Sequence, residues 1–463
     1  MLSFAESVAI QPTSPIPVGV VPLGPTELFF STTDRRGVIR LGNSVFARVS
    51  GYTLEEMAGR PHNIVRHRDM PAGMFRLMWD RLGDGGPVGV YVRNRTKAGA
   101  SYWVFATMSP VPGGYVSVRM APCSRYFELA EDLYTHASGA ERAAIRAGCD
   151  RREAATQGAL GLEEALQRHG YHDYDEFMQE ALPAEITARA RLVSAASLRP
   201  NAHGPIAEVL TGTTSVDRML ARMVGRLSDY QQLCDRLMTA AVQVTDITRR
   251  IDRSVAAARE ASTGVAEEHP DLLNIARVMG EPMRDAVAVL QHLRPELDRL
   301  RAAVTELRFR ISLAALYNSM VAAFADEVVD GTAPADTLAA VPLLCDATAM
   351  GLAGMAEQTL AVNGQLASVA RLTDEASTAL DRFRRFIGQW RLRVLRHRAG
   401  AAIGDKLGPI DTEIAVSWQW MELLHDLGRE FHTCTVTFDF HALGTQLVTI
   451  KGAAARCVTD RAV

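Results

Sequence analysis

Five short strand-like runs lie between Phe29 and Met120, and their order constrains the fold more than any other feature of the chain. Phe29 to Thr33 reads as a strand, Asp34-Arg35-Arg36-Gly37 as a turn and Val38 to Leu41 as a second strand. Asn43 is placed to cap a short helix carrying Val45, Phe46 and Val49, which Ser50-Gly51-Tyr52 closes. A polar loop, Arg60 to Pro71, leads into a second helix. Asp69 is expected to cap that helix, with Pro71 in its first turn and Met74, Phe75, Met78 and Leu82 on its buried face. Gly85-Gly86-Pro87 ends it. Val88 to Arg95 and Ser101 to Met108 then alternate around Thr96-Lys97-Ala98-Gly99, a hairpin signal, and Tyr115 to Met120 supplies the last strand. The sequence therefore predicts an α+β unit, a five-stranded antiparallel sheet with helices on one face.

Beyond it the period changes. Tyr126 to about Ile206 reads as short helices broken at Gly139, at Gly158 to Gly161 and at His169 to Tyr174, ending in a linker at Asn201 to Pro205. His169, His172, Asp173 and Asp175 invite a metal-site reading, against which a polar turn is favoured. Tyr230, Leu237, Val244 and Ile251 are seven apart, with Leu233, Ala240 and Ile247 between them. A second series, Leu290, Leu297, Val304 and Ile311 with Leu293, Leu300, Leu307, Ala314, Val321 and Val328, sustains the same repeat. Such a repeat marks a coiled-coil seam between two chains or the core of an antiparallel bundle within one. Pro282 and Pro295 are expected to kink their helices. Asp330 to Pro342 reads as a break, followed by one helix to about Val369 and another from Thr373. The stretch from Arg382 to Arg398 holds seven arginines and no acid, with Phe383, Ile387, Trp390 and Val394 along one stripe. That pattern suits an anionic surface, but packing of the stripe on a bundle is favoured. Thr433 to Phe440 alternates like a strand, and the last dozen or so residues read as loose.

The 50 basic and 53 acidic residues leave a net charge of −3, which gives no global pull toward nucleic acid or membrane. Residues 27–120 carry 13 basic and 7 acidic groups, a local excess that favours an anionic ligand. Six scattered cysteines form no Cys-x-x-Cys pair, which argues against zinc and disulfides and for a reducing, cytoplasmic setting. No uninterrupted apolar run of about 18 residues marks a transmembrane segment. The proline-bearing residues 1–24 read as a flexible lead-in rather than a secretory signal.

The runs Ser-Thr-Thr-Asp at Ser31, Val-Ser-Gly-Tyr at Val49, Gly59 to Pro71, Met78-Trp79, Asn94 to Gly99 and Tyr102-Trp103-Val104 resemble the PAS sensor domain of bacterial aerotaxis receptors. The resemblance covers roughly residues 25–122. It implies a PAS fold that holds FAD non-covalently and senses redox, oxygen or energy state. Asn43, Arg66, His67, Asp69, Trp79 and Asn94 match the family's cofactor-associated positions. Arg66 can pair with phosphate, Trp79 can face a ring, and Asn43 and Asn94 can serve both donor and acceptor edges of a flavin. The family's usual aromatic is Val88 here. No cysteine lies between Met1 and Pro122, which excludes the adduct chemistry of light-sensing flavin domains. A haem would need His62 or His67 as its axial ligand. Leu313 to Glu327 faintly resembles the hairpin tip of chemotaxis receptors, which would make a chemotaxis kinase or adaptor a partner. Tyr317, Val321 and Phe324 depart from that tip toward burial.

These features divide the chain into a lead-in (1–24), a PAS sensor domain (25–122), a connector (123–206), a helical bundle or coiled coil (207–400) and a tail (401–463). The expected function is flavin-based redox sensing relayed to a helical output module in a homodimer, without catalysis. The alternatives are a cofactor-free PAS interaction protein and a flavin-dependent oxidoreductase.

Overall fold

The computed structural model describes residues 23–193, 202–404 and 407–459, so most of the lead-in and the start of the linker lie outside the described residues. By its internal contacts the chain divides into two compact units that interleave along the sequence. The first is Met1–Asp217, Ser312–Met350 and Thr445–Val463; the second is Arg218–Ile311 and Gly351–Gly444.

The first unit is built on the expected sheet. Strands β1 (Leu28–Asp34), β2 (Ile39–Gly42), β3 (Val88–Arg95), β4 (Ser101–Val111) and β5 (Gly114–Met120) lie in the order β2-β1-β5-β4-β3. All ladders are antiparallel, with Arg95 opposite Ser101 across the hairpin and Phe30 opposite Val118 between β1 and β5. Helices α1 (Ser44–Ser50), α2 (Leu54–Met57) and α3 (Ala72–Gly83) follow the first two strands, with a 3-10 turn at His62–Val65. Asn43 caps α1 as expected, accepting from Phe46 N, and Gly51 closes it at φ 73°, where a side chain would be strained. Asp69 does not cap α3. Pro71 occupies the cap position and makes no side-chain bond; the Gly73 amide donates instead to Glu141 Oε1 at 2.7 Å, 68 residues away.

Helices α4 (Tyr126–Arg146), α5 (Arg151–Arg168) and α6 (Tyr174–Leu192) come next. Gly139 and Gly158 to Gly161 do not break them; the interruptions fall at 147–150 and 169–173. The glycines serve packing instead. A Cβ on Gly158 would run into Glu141, one on Gly161 into Ala140, and one on Gly73 into the α5 backbone at Gly158 and Ala159. Close approach of α3, α4 and α5 needs those positions bare.

Both faces of the sheet are covered, not one. Because side chains alternate along a strand, Phe29, Ser31, Val90, Val92, Asn94, Ala106, Ser117 and Arg119 share the face toward α1 and α3, while Phe30, Tyr91, Trp103, Phe105 and Ser109 share the other. On that second face Trp103 meets Phe127 and Tyr134 of α4, Tyr134 Oη donates to Tyr91 O, and Tyr174 Oη of α6 donates to Gly89 O. Residues 312–329, the end of helix α9 (Glu281–Val329), cover the rest. Tyr317 Oη donates to Ser109 Oγ at 2.7 Å and Phe324 meets Phe30 edge-on at 5.4 Å. The segment resembling a chemoreceptor tip is thus buried, with Tyr317, Val321 and Phe324 each 3% exposed or less.

The second unit is helical. It takes in most of α7 (Pro205–Thr263), α8 (Pro270–Val278), the first part of α9 (Glu281–Val329), most of α10 (Val341–Arg396), α11 (Gly400–Ile403) and α12 (Leu407–Thr433). Leu233, Leu237, Ala240 and Val244 of α7 and Leu290, Leu293, Leu297, Leu300, Val304, Leu307 and Ile311 of α9 are buried inside a single chain. The seven-residue repeat is therefore the core of an intramolecular bundle. The side chains of Ile247 and Ile251 lie outside the described residues. Arg236 pairs with Glu430, Gln358 donates to Ala303 O, and Trp390 Nε1 donates to Ser262 Oγ, tying α7, α9, α10 and α12 together. Phe383, Ile387, Trp390 and Val394 are buried, while Arg391 and Arg393 pair with Asp411 and Asp271, so this arginine-rich stretch packs on the bundle.

Four details differ from expectation. Pro282 falls in the first turn of α9, where its missing N–H costs nothing, and only Pro295 lies inside that helix. α10 runs through residues 370–373 without a break. Residues 434–439 form no strand; α12 precedes them and α13 (Phe440–Thr459) follows. One helix, within 335–396, holds an 18-residue window of mean hydropathy 1.6, long and apolar enough to cross a membrane by length and composition, with 44% of that window buried in the chain.

Candidate functional site

A cavity of about 270 Å³ opens between the sheet and the helices on the α1–α3 side. Its floor is β3, β4 and β5, through Val90, Val92, Asn94, Ala106, Met108, Ser117 and Arg119. Its walls are the turn Arg36-Gly37, the segment Pro61 to Arg66, and Phe75, Met78 and Trp79 of α3. Backbone bonds fix that segment at both ends. Ile39 N donates to Arg60 O, and His62 N to Gly37 O; farther on, Arg66 bridges Asn94 and His67 N donates to Arg93 O. The polar loop is thereby stitched to β2 on one side and β3 on the other.

Three of the six sequence-predicted residues meet at the cavity: Arg66, Trp79 and Asn94. Asn94 is 2% exposed and its side chain lies beside the Tyr102 phenol. Trp79 is 38% exposed at the mouth, packed edge-on to Tyr115 and against Gly37. Arg66 donates to Met70 O at 2.9 Å and lies 4.0 Å over the Phe75 ring; burial lowers its affinity for the proton.

The other three lie elsewhere. Asn43 is buried, but its side chain serves the backbone: Oδ1 accepts from Phe30 N and Phe46 N, and Nδ2 donates to Leu28 O. His67 sits outside the cavity wall, its Nδ1 accepting from Asp69 N, with its pKa lowered first by burial and then by the Arg93 cation. Asp69 is exposed, near His67 at 3.6 Å, Arg68 at 3.7 Å and Arg93 at 3.8 Å. Val88 is buried and does not line the cavity.

The strongest polar feature of the cavity was not singled out by the sequence reading. Arg119, 4% exposed, donates to Ser31 Oγ at 2.8 Å and approaches His62 Nε2 at 2.9 Å. Its guanidinium also lies 5.2 Å from the Phe29 ring and 5.9 Å from that of Phe46. Burial pulls its pKa down to about 10, still far above neutrality. Among the described residues no carboxylate pairs with it. His62 is stacked on Phe46 at 5.5 Å, and burial, then the neighbouring Arg119 charge, holds its pKa well below the usual value. It is a neutral acceptor, with the nitrogen a haem iron would need already facing Arg119. Two buried hydroxyls nearby, of Thr33 and Tyr102, lack hydrogen-bond partners of ordinary geometry.

Period-two reading of Tyr115-Val-Ser-Val-Arg-Met120 would have found Arg119, because it sets Ser117 and Arg119 on one face of an otherwise apolar strand. The histidines of the α5–α6 turn each lie 3.2 Å from a carboxylate, His169 Nε2 from Asp132 and His172 Nδ1 from Asp173, while Asp175 pairs with Arg81. Among the described residues no group of three or more His, Cys, Asp or Glu side chains could hold a metal.

The aerotaxis receptor of Escherichia coli (strain K12) is 42% identical over 118 residues, 24% of this chain and 23% of that receptor. The chain thus matches less than a quarter of that relative's length. Among solved structures, a PAS domain from Colwellia psychrerythraea is 19% identical, covering 20% of this chain and 85% of that one at a TM-score of 0.19. The photo-excited blue-light photoreceptor Vivid is 20% identical, covering 24% and 85% at a TM-score of 0.18. Residues 41–118 match the PAS fold family, and that stretch of the chain is a PAS domain.

Proposed function

We propose that the PAS domain holds FAD in the cavity and that the chain senses redox or oxygen state through it, relaying the signal to its helical part. The observation that carries the reading is the cavity itself, an aromatic-rimmed space with Asn94, Arg66 and the buried Arg119 around it. The resemblance over Pro61 to Pro71 and the likeness to an aerotaxis receptor support FAD as the cofactor. Ligand cavities run from about 300 to 1,000 Å³, so a space of about 270 Å³ suits the ring end of a dinucleotide, with the remainder at the mouth.

When bound, the cofactor supplies a ring that accepts two electrons and changes charge and protonation. The chain does the rest. Asn94 offers both donor and acceptor to a ring edge, and the unpaired Thr33 and Tyr102 hydroxyls leave hydrogen-bonding capacity unspent. Trp79 covers the mouth with an aromatic face. Arg36 and Arg66, on the wall, carry the charge that a pyrophosphate requires.

The proposal includes a cytoplasmic location, supported by six cysteines that are all free. It also includes a signalling role without catalysis, a homodimer, and a chemotaxis kinase or adaptor as partner, supported by the receptor likeness. Since the seven-residue seam is buried inside one chain, a dimer uses another surface. The test is the absorbance spectrum of the purified chain before and after incubation with FAD, with chromatography of whatever heating releases. Flavin bands and released FAD are expected. Colourless protein that takes up no added FAD refutes the reading and leaves a cofactor-free PAS interaction module.

A further inference from the structure

We infer that Arg119 sets the redox poise of this site, holding the ring of a bound flavin as an anion once it is reduced. The inference rests on the flavin reading above and adds a residue that the matched cofactor positions do not include. Its basis is an imbalance of charge. A guanidinium buried to 4% exposure at the cavity floor has a serine hydroxyl, a neutral histidine nitrogen and two aromatic rings around it and, among the described residues, no carboxylate. Buried cations are ordinarily paired, because an uncompensated charge in a low-dielectric interior is strongly unfavourable. Here the open side of the guanidinium is the cavity, so the missing negative charge is one that a ligand brings.

The neighbours sharpen the choice. His62 is kept neutral beside Arg119, so it adds no second positive charge and accepts rather than donates. Ser117 lines the same floor, but its hydroxyl donates to Thr107 O and Asn94 carries no charge, which leaves Arg119 as the cation at this depth. Arg36 and Arg66 lie on the wall with the turn and the loop, apart from β5. A pyrophosphate is served by those two, and Arg119 is left facing the ring.

An oxidised flavin ring is neutral. With two electrons and one proton added, a flavin ring bound there would carry a negative charge over the N1–C2 carbonyl side of its pyrimidine ring, which a second proton would neutralise. A fixed cation at that edge binds the anion more tightly than the neutral ring, and differential binding of two redox states is a shift in potential. Arg119 therefore raises the midpoint potential and delays the second proton.

The test uses the full chain reconstituted with FAD and titrated with dithionite, reading the midpoint spectroscopically against pH. With one proton per two electrons the wild-type midpoint falls by about 30 mV per pH unit across pH 5.5–8; with two protons it falls by about 59 mV. The shallow slope is expected throughout. Arg119→Met is expected to weaken the preference for the reduced ring about 100-fold, a drop of about 60 mV at pH 7, and to restore the steep slope at the acid end. Arg119→Lys, which keeps the charge, is expected to recover most of both. A steep wild-type slope, or an Arg119→Met protein that binds FAD with an unchanged midpoint, overturns the role of Arg119 while leaving the flavin reading intact. If Arg119→Met takes up no FAD, the wild-type slope and the Lys variant decide. Wild-type protein that takes up no FAD overturns the flavin reading, and this inference with it.

Discussion

Replacing Glu185 by alanine is expected to loosen the exit of the sheet into the first helix beyond it. Glu185 lies on α6, 0% exposed, and its carboxylate gathers four donors. Tyr91 Oη donates to it at 2.6 Å, Cys123 N at 2.6 Å, Ser124 N at 3.2 Å and Ser124 Oγ at 2.7 Å. Residues 121–125 join β5 to α4, so this one side chain ties the connection to β3 through Tyr91. Alanine leaves the Tyr91 hydroxyl and the Cys123 and Ser124 amides without their acceptor. Each orphaned buried donor costs about 1–3 kcal/mol, so about 3–9 kcal/mol for the three together, while the Ser124 hydroxyl can turn toward Tyr91. Against a typical total of about 5–15 kcal/mol, a loss of that size opens the junction locally or unfolds the unit around it. Glutamine, which keeps an acceptor oxygen, is expected to cost less than half as much. Amide exchange of residues 115–130 measures the opening free energy directly. An alanine variant within 1 kcal/mol of wild type refutes the reasoning.

Two other outcomes follow from the same structure. His62 has its pKa pushed down by burial, so at mildly acidic pH the unfolded chain binds a proton that the folded chain refuses. Its stabilising contribution is complete above the unfolded value of about 6.5 and falls as pH drops below it, by up to about 1.4 kcal/mol per pH unit; His62→Gln is expected to flatten that limb in denaturation curves taken from pH 7.5 to 5. Aspartate at Leu300 or Leu307, both 0% exposed in the bundle, is expected to destroy helical circular dichroism rather than to split a dimer into folded halves, and folded monomers in light scattering would return the seam to an interface between chains.

What could be read from the chain was what local rules control. The five strands, the Thr96 to Gly99 hairpin turn and the Asn43 cap depend on residues adjacent in sequence, and each forms where expected. Asp69 failed as a cap because the acceptor for α3 arrives from Glu141 on another helix. Gly158 and Gly161 were read as breakers, since their role in admitting a neighbouring helix leaves no local mark. The apparent strand at Thr433 to Phe440 has its backbone satisfied by a side chain: Val436 N donates to Asn363 Oδ1 and Asn363 Nδ2 donates to Val436 O. The heptads announced a buried stripe but not whose helix covers it, because both answers share one period. At the site, Trp79, Arg66 and Asn94 converge, whereas Glu185 stands in an unremarkable helical run and no local rule points to it.

The two faces of the sheet suggest how a change at the cavity leaves it. Along β5, Ser117 and Arg119 face the cavity, while Val116, Val118 and Met120 face away, so a small slide of that strand is felt on both sides at once. Two attachments stand ready on the far side. One is the Glu185 clamp at the end of β5; the other is the α9 segment, where Tyr317 bonds Ser109 on the neighbouring strand β4. The first is continuous in sequence, a covalent run from β5 into α4. The second is a contact 208 residues apart in the chain, and it couples the sheet to residues 312–329 of α9. Packed elements of this kind switch between discrete arrangements rather than bend. Reduction of the FAD-loaded chain is therefore expected to change amide exchange in residues 312–329 as well as in 121–127. Tyr317→Phe, which removes one bond of about 0.5–1.5 kcal/mol and leaves the ring packed, is expected to suppress the change in 312–329 and to spare that in 121–127. If reduction alters 121–127 alone in both proteins, the α9 contact is structural and the signal leaves by β5. If it alters neither segment while the flavin is fully reduced, the sheet is not the route.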